Sequence, residues 1–158
     1  MSKKKSVNRE FVLGKMQALC SKTEKCSFDI EQKIKNYPLD EKDRDWILNQ
    51  LREDKFIDDQ RFAGFFVKDK FRFNKWGRIK IRHAMHMKKI DDEIIDRALE
   101  EQLDEAEYLE VLKELLVSKN RSLKDKNMFS RKGKLVRFAT QRGFEPELVF
   151  DRVEGVMG

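Results

Sequence analysis

Apolar residues return every three or four positions along nearly the whole chain, and turn-forming residues fall between the runs rather than inside them. That period predicts helices throughout. Phe11, Val12, Met16, Leu19 and Cys20 share one stripe over about residues 8–21. Ile30, Ile34 and Tyr37 make a second stripe that Ser27 can cap and Pro38 ends. Trp46, Ile47, Leu48 and Leu51 make a third, opened by Asp40 and closing near Lys55. The pattern restarts at Asp58, giving expected helices over about 59–73, 77–88 and 92–102. Phe62, Phe66, Ile81, Met85, Ile94 and Leu99 are their candidate common core. Asp104 with Glu107 suits a capping box for a seventh helix reaching about Lys119. An eighth is expected over about 125–142, with Gly143 as its stop. Pro146, a favoured first-turn residue, opens a ninth carrying Leu148, Val149 and Val153.

These segments repeat. Residues 88–99 (KKIDDEIIDRAL) align with 142–153 (RGFEPELVFDRV), pairing Ile90 with Phe144, Ile94 with Leu148, Ile95 with Val149 and Leu99 with Val153. Residues 37–51 echo the theme with Arg44 at an apolar position. The expectation is an all-α protein: a basic tail over 1–7, then three-helix units over 8–57, 58–103 and 104–158. Each unit buries its apolar face on a neighbour, so the three stack into an elongated, curved array.

Composition sharpens the picture. The 158 residues are 41% charged and 39% hydrophobic, with seven Gly and two Pro. That balance favours helix over β-sandwich, in about one domain's length. Two cysteines, Cys20 and Cys26, make no disulfide framework. Without a secretory h-region or an apolar run of membrane length, a cytoplasmic setting is expected, with no membrane partner. Net charge is +6, which points to a polyanion. The charge is also blocked. Residues 68–89 hold nine bases and one acid, 90–115 hold eleven acids and two bases, and 118–143 hold nine bases and one acid. Either the acidic helices face one side and leave a positive surface on the other, or acidic and basic helices cancel internally.

Catalytic chemistry finds little support. The chain has no glycine-rich phosphate loop and no nucleophile elbow, so no enzyme activity and no cofactor are expected. The pairs Asp58–Asp59 and Asp91–Asp92 sit where helices begin and are explained by capping and the helix dipole. His83 and His86 with either cysteine do not have zinc-site spacing, so no metal is expected. Phe71, Phe73, Phe129, Phe138 and Phe144 lie among the basic blocks. Aromatics there can stack on bases, but helical spacing reads them first as core. On the fifth helix Ile81 and Met85 form the inward stripe, whereas Ile79 and Met87 are left for a partner or for a neighbouring unit to cover.

One stretch is specific enough to carry a resemblance. DDQRFAGFFVKD (58–69) followed by WGRIKIRHAMHMKKI (76–90) resembles the central signature of the RecX family, regulators of the bacterial RecA recombinase. Asp58, Asp59, Arg61, Phe62, Ala63, Phe66, Val67, Asp69, Gly77, Ile81, Met85 and Ile90 carry it. The resemblance implies tandem three-helix repeats. It also implies a non-enzymatic regulator, a monomer, that binds the RecA–single-stranded DNA filament and mostly restrains recombination and ATP hydrolysis. Two other readings stay open: a free-standing helical DNA-binding module, and an adaptor whose basic blocks meet an acidic protein. The candidate contacts are Lys75, Arg78, Lys80, Arg82 and Lys89 in the middle unit, and Arg131, Lys132, Lys134 and Arg137 in the last.

Overall fold

The computed structural model describes residues 7–158, and within them nine α-helices and no strand. They are α1 (Arg9–Lys22), α2 (Ser27–Ile34), α3 (Glu41–Glu53), α4 (Asp59–Asn74), α5 (Arg78–Met87), α6 (Asp92–Gln102), α7 (Glu105–Ser122), α8 (Met128–Gln141) and α9 (Pro146–Met157). Except for Val7, the basic tail expected over 1–7 lies outside the described residues. Side-chain caps start several helices, because the first backbone N–H groups lack helical partners. Asp40 accepts from Asp43 N (2.8 Å), Asp58 from Arg61 N (3.0 Å), and Asp104 from Glu107 N (3.0 Å).

Three boundaries differ from the sequence expectation, the first being the seventh helix, which runs to Ser122 rather than about Lys119. The eighth helix starts at Met128 rather than Asp125, with Asn127 accepting from Ser130 N (3.1 Å). The Asp125 carboxylate is taken instead by the Ser130 hydroxyl (2.7 Å) and the Lys134 amine (2.8 Å). The second helix ends at Ile34, where the Tyr37 N–H folds back onto Ile34 O (3.0 Å) and Pro38 stops the chain. The Asp58–Asp59 pair is also split in its work. Asp58 caps α4, while Asp59 reaches back to the Ser27 N–H at the start of α2 (2.8 Å).

The helices follow one grammar three times. Each middle helix buries a pair four residues apart: Ile30 and Ile34, Ile81 and Met85, Leu135 and Ala139. Five residues later comes a buried apolar anchor, in turn Leu39, Ile90 and Phe144. Each third helix then buries another such pair: Ile47 and Leu51, Ile95 and Leu99, Val149 and Val153. In every unit the first helix packs on the third: α1 on α3, α4 on α6, α7 on α9. The spacing dictates this, since residues four apart share a helix face and can be buried only against a neighbour.

Burial divides the chain unevenly. Helices α1–α3 enclose a core of their own around Val12, Met16, Ile30 and Ile47. Helices α4–α9 share one core, spanned by the ring sequence Phe71, Tyr108, Phe144 with centroids 5.8 and 5.1 Å apart. Among the described residues the extensive helix–helix contacts all lie within units, and none joins α1–α3 to the rest or α4–α6 to α7–α9. Cys26 and Phe28 pack onto the larger core, and polar ties do the remainder. These are Asp59 to Ser27 N, Arg61 to Glu24 (2.8 Å), and Lys88 to Asp29 (2.7 Å). Burial alone would raise the Asp29 pKa, but hydrogen bonds from Lys88 and Cys26 outweigh it and hold the carboxyl below its ordinary value.

The expected cluster of Phe62, Phe66, Ile81, Met85, Ile94 and Leu99 needs two changes. Phe62, Ile81, Met85 and Leu99 are buried, but Phe66 and Ile94 are only partly so. The inward stripe of α4 is Ala63, Val67 and Phe71, four apart, with Phe62 beside it. Phe66 sits at the stripe's edge, stacked 5.7 Å from Phe62. On α6 the face turned inward is Ile95, Ala98 and Leu99. Ile95→Ala is therefore expected to cost about 2–5 kcal/mol in chemical denaturation, the range for a fully buried Ile. Ile94→Ala should cost less than half as much. Equal losses would contradict the assigned face.

Candidate nucleic-acid interface

Helices α4–α9 meet at a seam where backbone touches backbone. The Gly77 N–H donates to Arg142 O (2.7 Å) and the Ile79 N–H to Gly143 O (3.0 Å). The unsatisfied donors at the start of α5 are thus paired with the free carbonyls at the end of α8. Only glycine permits this approach. A Cβ on Gly77 would overlap Gly143 C and O and Phe144 N, and one on Gly143 would overlap Lys80. Gly143 also holds φ +95, a conformation open to glycine.

A polar lock sits beside the glycines. The Arg78 N–H donates to the Tyr108 hydroxyl (3.0 Å), which in turn donates to Glu145. The Arg78 guanidinium lies 3.9 Å over the Tyr108 ring and spans Glu145 (2.6 Å) and Glu105. Burial raises the Tyr108 pKa, and the bond to Glu145 raises it further, so the phenol stays neutral. Burial works against the Arg78 charge, but the hydrogen bonds to Glu145 and Glu105 prevail and hold its pKa above the ordinary value.

Around this lock, cations and aromatics alternate on the surface. Trp76 is flanked by Lys80 Nζ at 4.7 Å and Lys70 Nζ at 5.2 Å from the ring centroid. Phe138 carries the Arg142 guanidinium at 5.0 Å and Lys119 Nζ at 5.2 Å. Arg142 also donates to Asn74 O (3.0 Å), which ties the second pair to the α4–α5 turn. Lys75, exposed at that turn with φ 57, completes the group. Among the described residues no carboxylate lies within ion-pair distance of Lys70, Lys75, Lys80, Lys119 or Arg142. A surface of unneutralised cations set on aromatic rings can take phosphates and stack unpaired bases.

The nine sequence candidates do not gather in one place. Lys75 and Lys80 lie in the seam cluster. Lys89, in left-handed conformation after α5, reaches instead toward Phe28 (5.8 Å). Arg78 is the lock. Arg82 pairs with Asp96 (2.6 Å), Lys132 with Glu154 and Lys134 with Asp125, all at the surface. Arg131 is spent on the last turn of α7 and the loop after it, donating to Asn120 O (2.7 Å), Leu123 O (3.1 Å) and Asp125 O (2.7 Å). Arg137 is exposed, with no acidic partner among the described residues. Both readings of the charge blocks therefore hold in part: some bases cancel internally and others stay open.

Lys70, Trp76, Lys119, Phe138 and Arg142 were not among the candidates. A signal for some of them existed, since Phe66–Lys70, Trp76–Lys80 and Phe138–Arg142 each place a cation four residues after an aromatic. Elsewhere, Ile79 and Met87 are exposed, so no neighbouring unit covers them. His86 pairs with Asp92. Among the described residues no three His, Cys, Asp or Glu side chains converge as metal ligands do. Nor is any described helix long and apolar enough to cross a membrane.

Comparison with known proteins agrees with this architecture. Residues 58–99 match the family model for the second three-helix domain of RecX, and residues 105–151 match that for the third. The chain is 30% identical over 139 residues to the regulatory protein RecX of Clostridium acetobutylicum, covering 85% of this chain and 64% of that protein. Against the RecX of Clostridium beijerinckii it is 30% identical over 141 residues, covering 88% and 65%. The chain thus spans a little under two thirds of the length of these relatives. A crystal structure of RecX from Lactobacillus salivarius superposes with a TM-score of 0.83 at 19% identity, covering 94% of this chain and 96% of that one. Another, of a regulatory protein RecX, gives 0.83 at 24%, covering 92% and 73%. With two consecutive RecX domains matched over more than half of its residues and the same helical fold throughout, the chain belongs to the RecX family.

Proposed function

We propose that this chain is a non-enzymatic regulator that binds a RecA–single-stranded DNA filament and restrains its ATP hydrolysis and strand exchange. It acts in the cytoplasm as a monomer. The observation that carries the reading is the seam cluster, where cations with no acidic partner among the described residues rest on Trp76 and Phe138 between two units locked together. Family membership supports the regulatory role. Of the nine basic candidates, Lys75, Lys80, Lys89 and Arg137 are ready to meet phosphate. Arg82, Lys132 and Lys134 can exchange exposed ion pairs at little cost. Arg78 and Arg131 act by holding the fold.

The test replaces Lys70, Lys75 and Lys80 together with Gln. Each phosphate contact to a single strand contributes about −0.7 to the slope of log affinity against log salt, so the slope should flatten by about 2 units. Inhibition of filament ATP hydrolysis should weaken in parallel, with helicity by circular dichroism unchanged. An unaltered slope with full inhibition would remove the seam from the mechanism. Wild-type affinity no higher for filaments than for bare DNA would favour a free-standing DNA-binding module.

A further inference from the structure

A second surface lies away from the seam. The groove between α8 and α9 encloses about 430 Å³ and is lined by Phe129, Lys132, Val136, Arg137 and Phe150, with Gly133 and Thr140. Phe129 is 88% exposed and Phe150 51% exposed, and both border the same space. An exposed aromatic alone needs no explanation. Two facing one groove, beside cations, do.

The charge of the groove narrows what can fill it. No carboxylate is in the lining. Arg137 has no acidic partner among the described residues, and Lys132 is held only by exposed Glu154. Lys124 and Lys126, in the loop leading to Phe129, are exposed and also have no acidic partner among the described residues. The first turn of α8 contains no acidic residue to offset its positive end. The outer acids of α9, Glu147 and Asp151, are exposed but do not line the groove. The occupant must therefore bring flat apolar faces and regularly spaced negative charge. Single-stranded nucleic acid offers both, whereas a duplex keeps its base faces stacked inside.

We propose that the α8–α9 groove is a base-stacking site for single-stranded DNA, with Phe129 and Phe150 as platforms and Arg137 and Lys132 on the flanking phosphates. It adds to the filament-binding reading a DNA contact separate from the seam. The experiment compares two labelled 12-mers of equal charge, oligodeoxythymidylate and its fully abasic analogue, by fluorescence anisotropy at matched salt. Wild type should prefer the base-bearing strand. Phe129→Ala should lower affinity for that strand by about 5- to 100-fold, the range for losing one stacked base, and adding Phe150→Ala should lower it further. The abasic strand should bind as before, and Phe129→Trp should restore the preference. Phe129 is so exposed that its loss leaves folding intact, which the thermal transition verifies.

Equal binding of both strands by wild type, or no binding of the thymidylate strand, would overturn the proposal. So would an equal loss on both strands in Phe129→Ala. If Phe129→Ala left both strands unchanged yet abolished filament association, the groove would belong to a protein surface and the proposal would again fail. Wild-type inhibition of filament ATP hydrolysis is scored independently, so the regulatory reading survives or falls on its own result.

Discussion

Gly143→Ala is expected to be the most damaging single methyl addition in the molecule, costing about 2–5 kcal/mol in chemical denaturation. Two effects add. A non-glycine residue held in the left-handed region costs about 1–2 kcal/mol. Forcing a methyl into a filled space costs typically 1–3 kcal/mol more. Here the new Cβ meets the Lys80 Cβ and, at 2.6 Å, the Lys80 backbone nitrogen, so no flexible side-chain tip can yield. Relief would have to come from parting α5 and α8, which breaks the bonds from Gly77 N to Arg142 O and from Ile79 N to Gly143 O. Gly77→Ala should act on the same junction without the conformational cost, since Gly77 has φ −80. The two glycines oppose one another, so the double substitution should cost clearly less than the sum of the singles. Strict additivity would show that they do not share one junction.

The equivalent position in the preceding unit shows why that junction is one-sided. Lys89 occupies the left-handed residue before Ile90, as Gly143 does before Phe144. Lysine there carries the ordinary cost of a left-handed residue, about 1–2 kcal/mol, and its amine reaches toward Phe28. The internal repeat thus reproduces the turn, while the glycine marks the copy whose backbone is met directly by backbone of another unit.

Local spacing explains what could be read in advance. The pairs Ile81–Met85, Ile95–Leu99 and Val149–Val153 lie four apart, a relation fixed by the helical period alone. All are buried, and the all-helical fold follows. Phe129 failed the same logic. It too sits in a helix, but among basic residues in the first turn of α8, ahead of the inward pair Leu135–Ala139, and it projects beyond the core. Partners of charged side chains were less legible still. Arg78 lies in a dense basic run and resembles a phosphate contact. Its carboxylates, Glu105 and Glu145, are 27 and 67 residues away and become neighbours only when the seam closes. Arg131 is similar, its guanidinium used on carbonyls at the end of α7 and in the following loop, whose path the helical period does not define.

Arg78→Ala should consequently behave as a folding mutation rather than a binding one. Its side chain is 25% exposed and that of Glu145 24%, so removing the guanidinium leaves a half-buried carboxylate without its cation. A hydrogen bond to a charged group contributes about 1.5–3 kcal/mol, and the more exposed Glu105 contact adds little. A loss of about 2–3 kcal/mol is expected in denaturant unfolding. Arg82→Ala, which removes only the exposed pair with Asp96, should cost under about 1 kcal/mol. The salt dependence of single-strand binding separates the roles. If Arg78 holds the lock, the slope of log affinity against log salt stays at its wild-type value in Arg78→Ala under conditions where the variant is folded. A direct phosphate contact would instead flatten it by about 0.7. Arg78→Lys sharpens the distinction, because it keeps the charge but cannot span Glu105 and Glu145 with one planar group. Lysine should preserve the slope under either role and restore stability only in part. A flattened slope in Arg78→Ala, with stability unchanged, would place the guanidinium on the DNA and open the seam to a different reading.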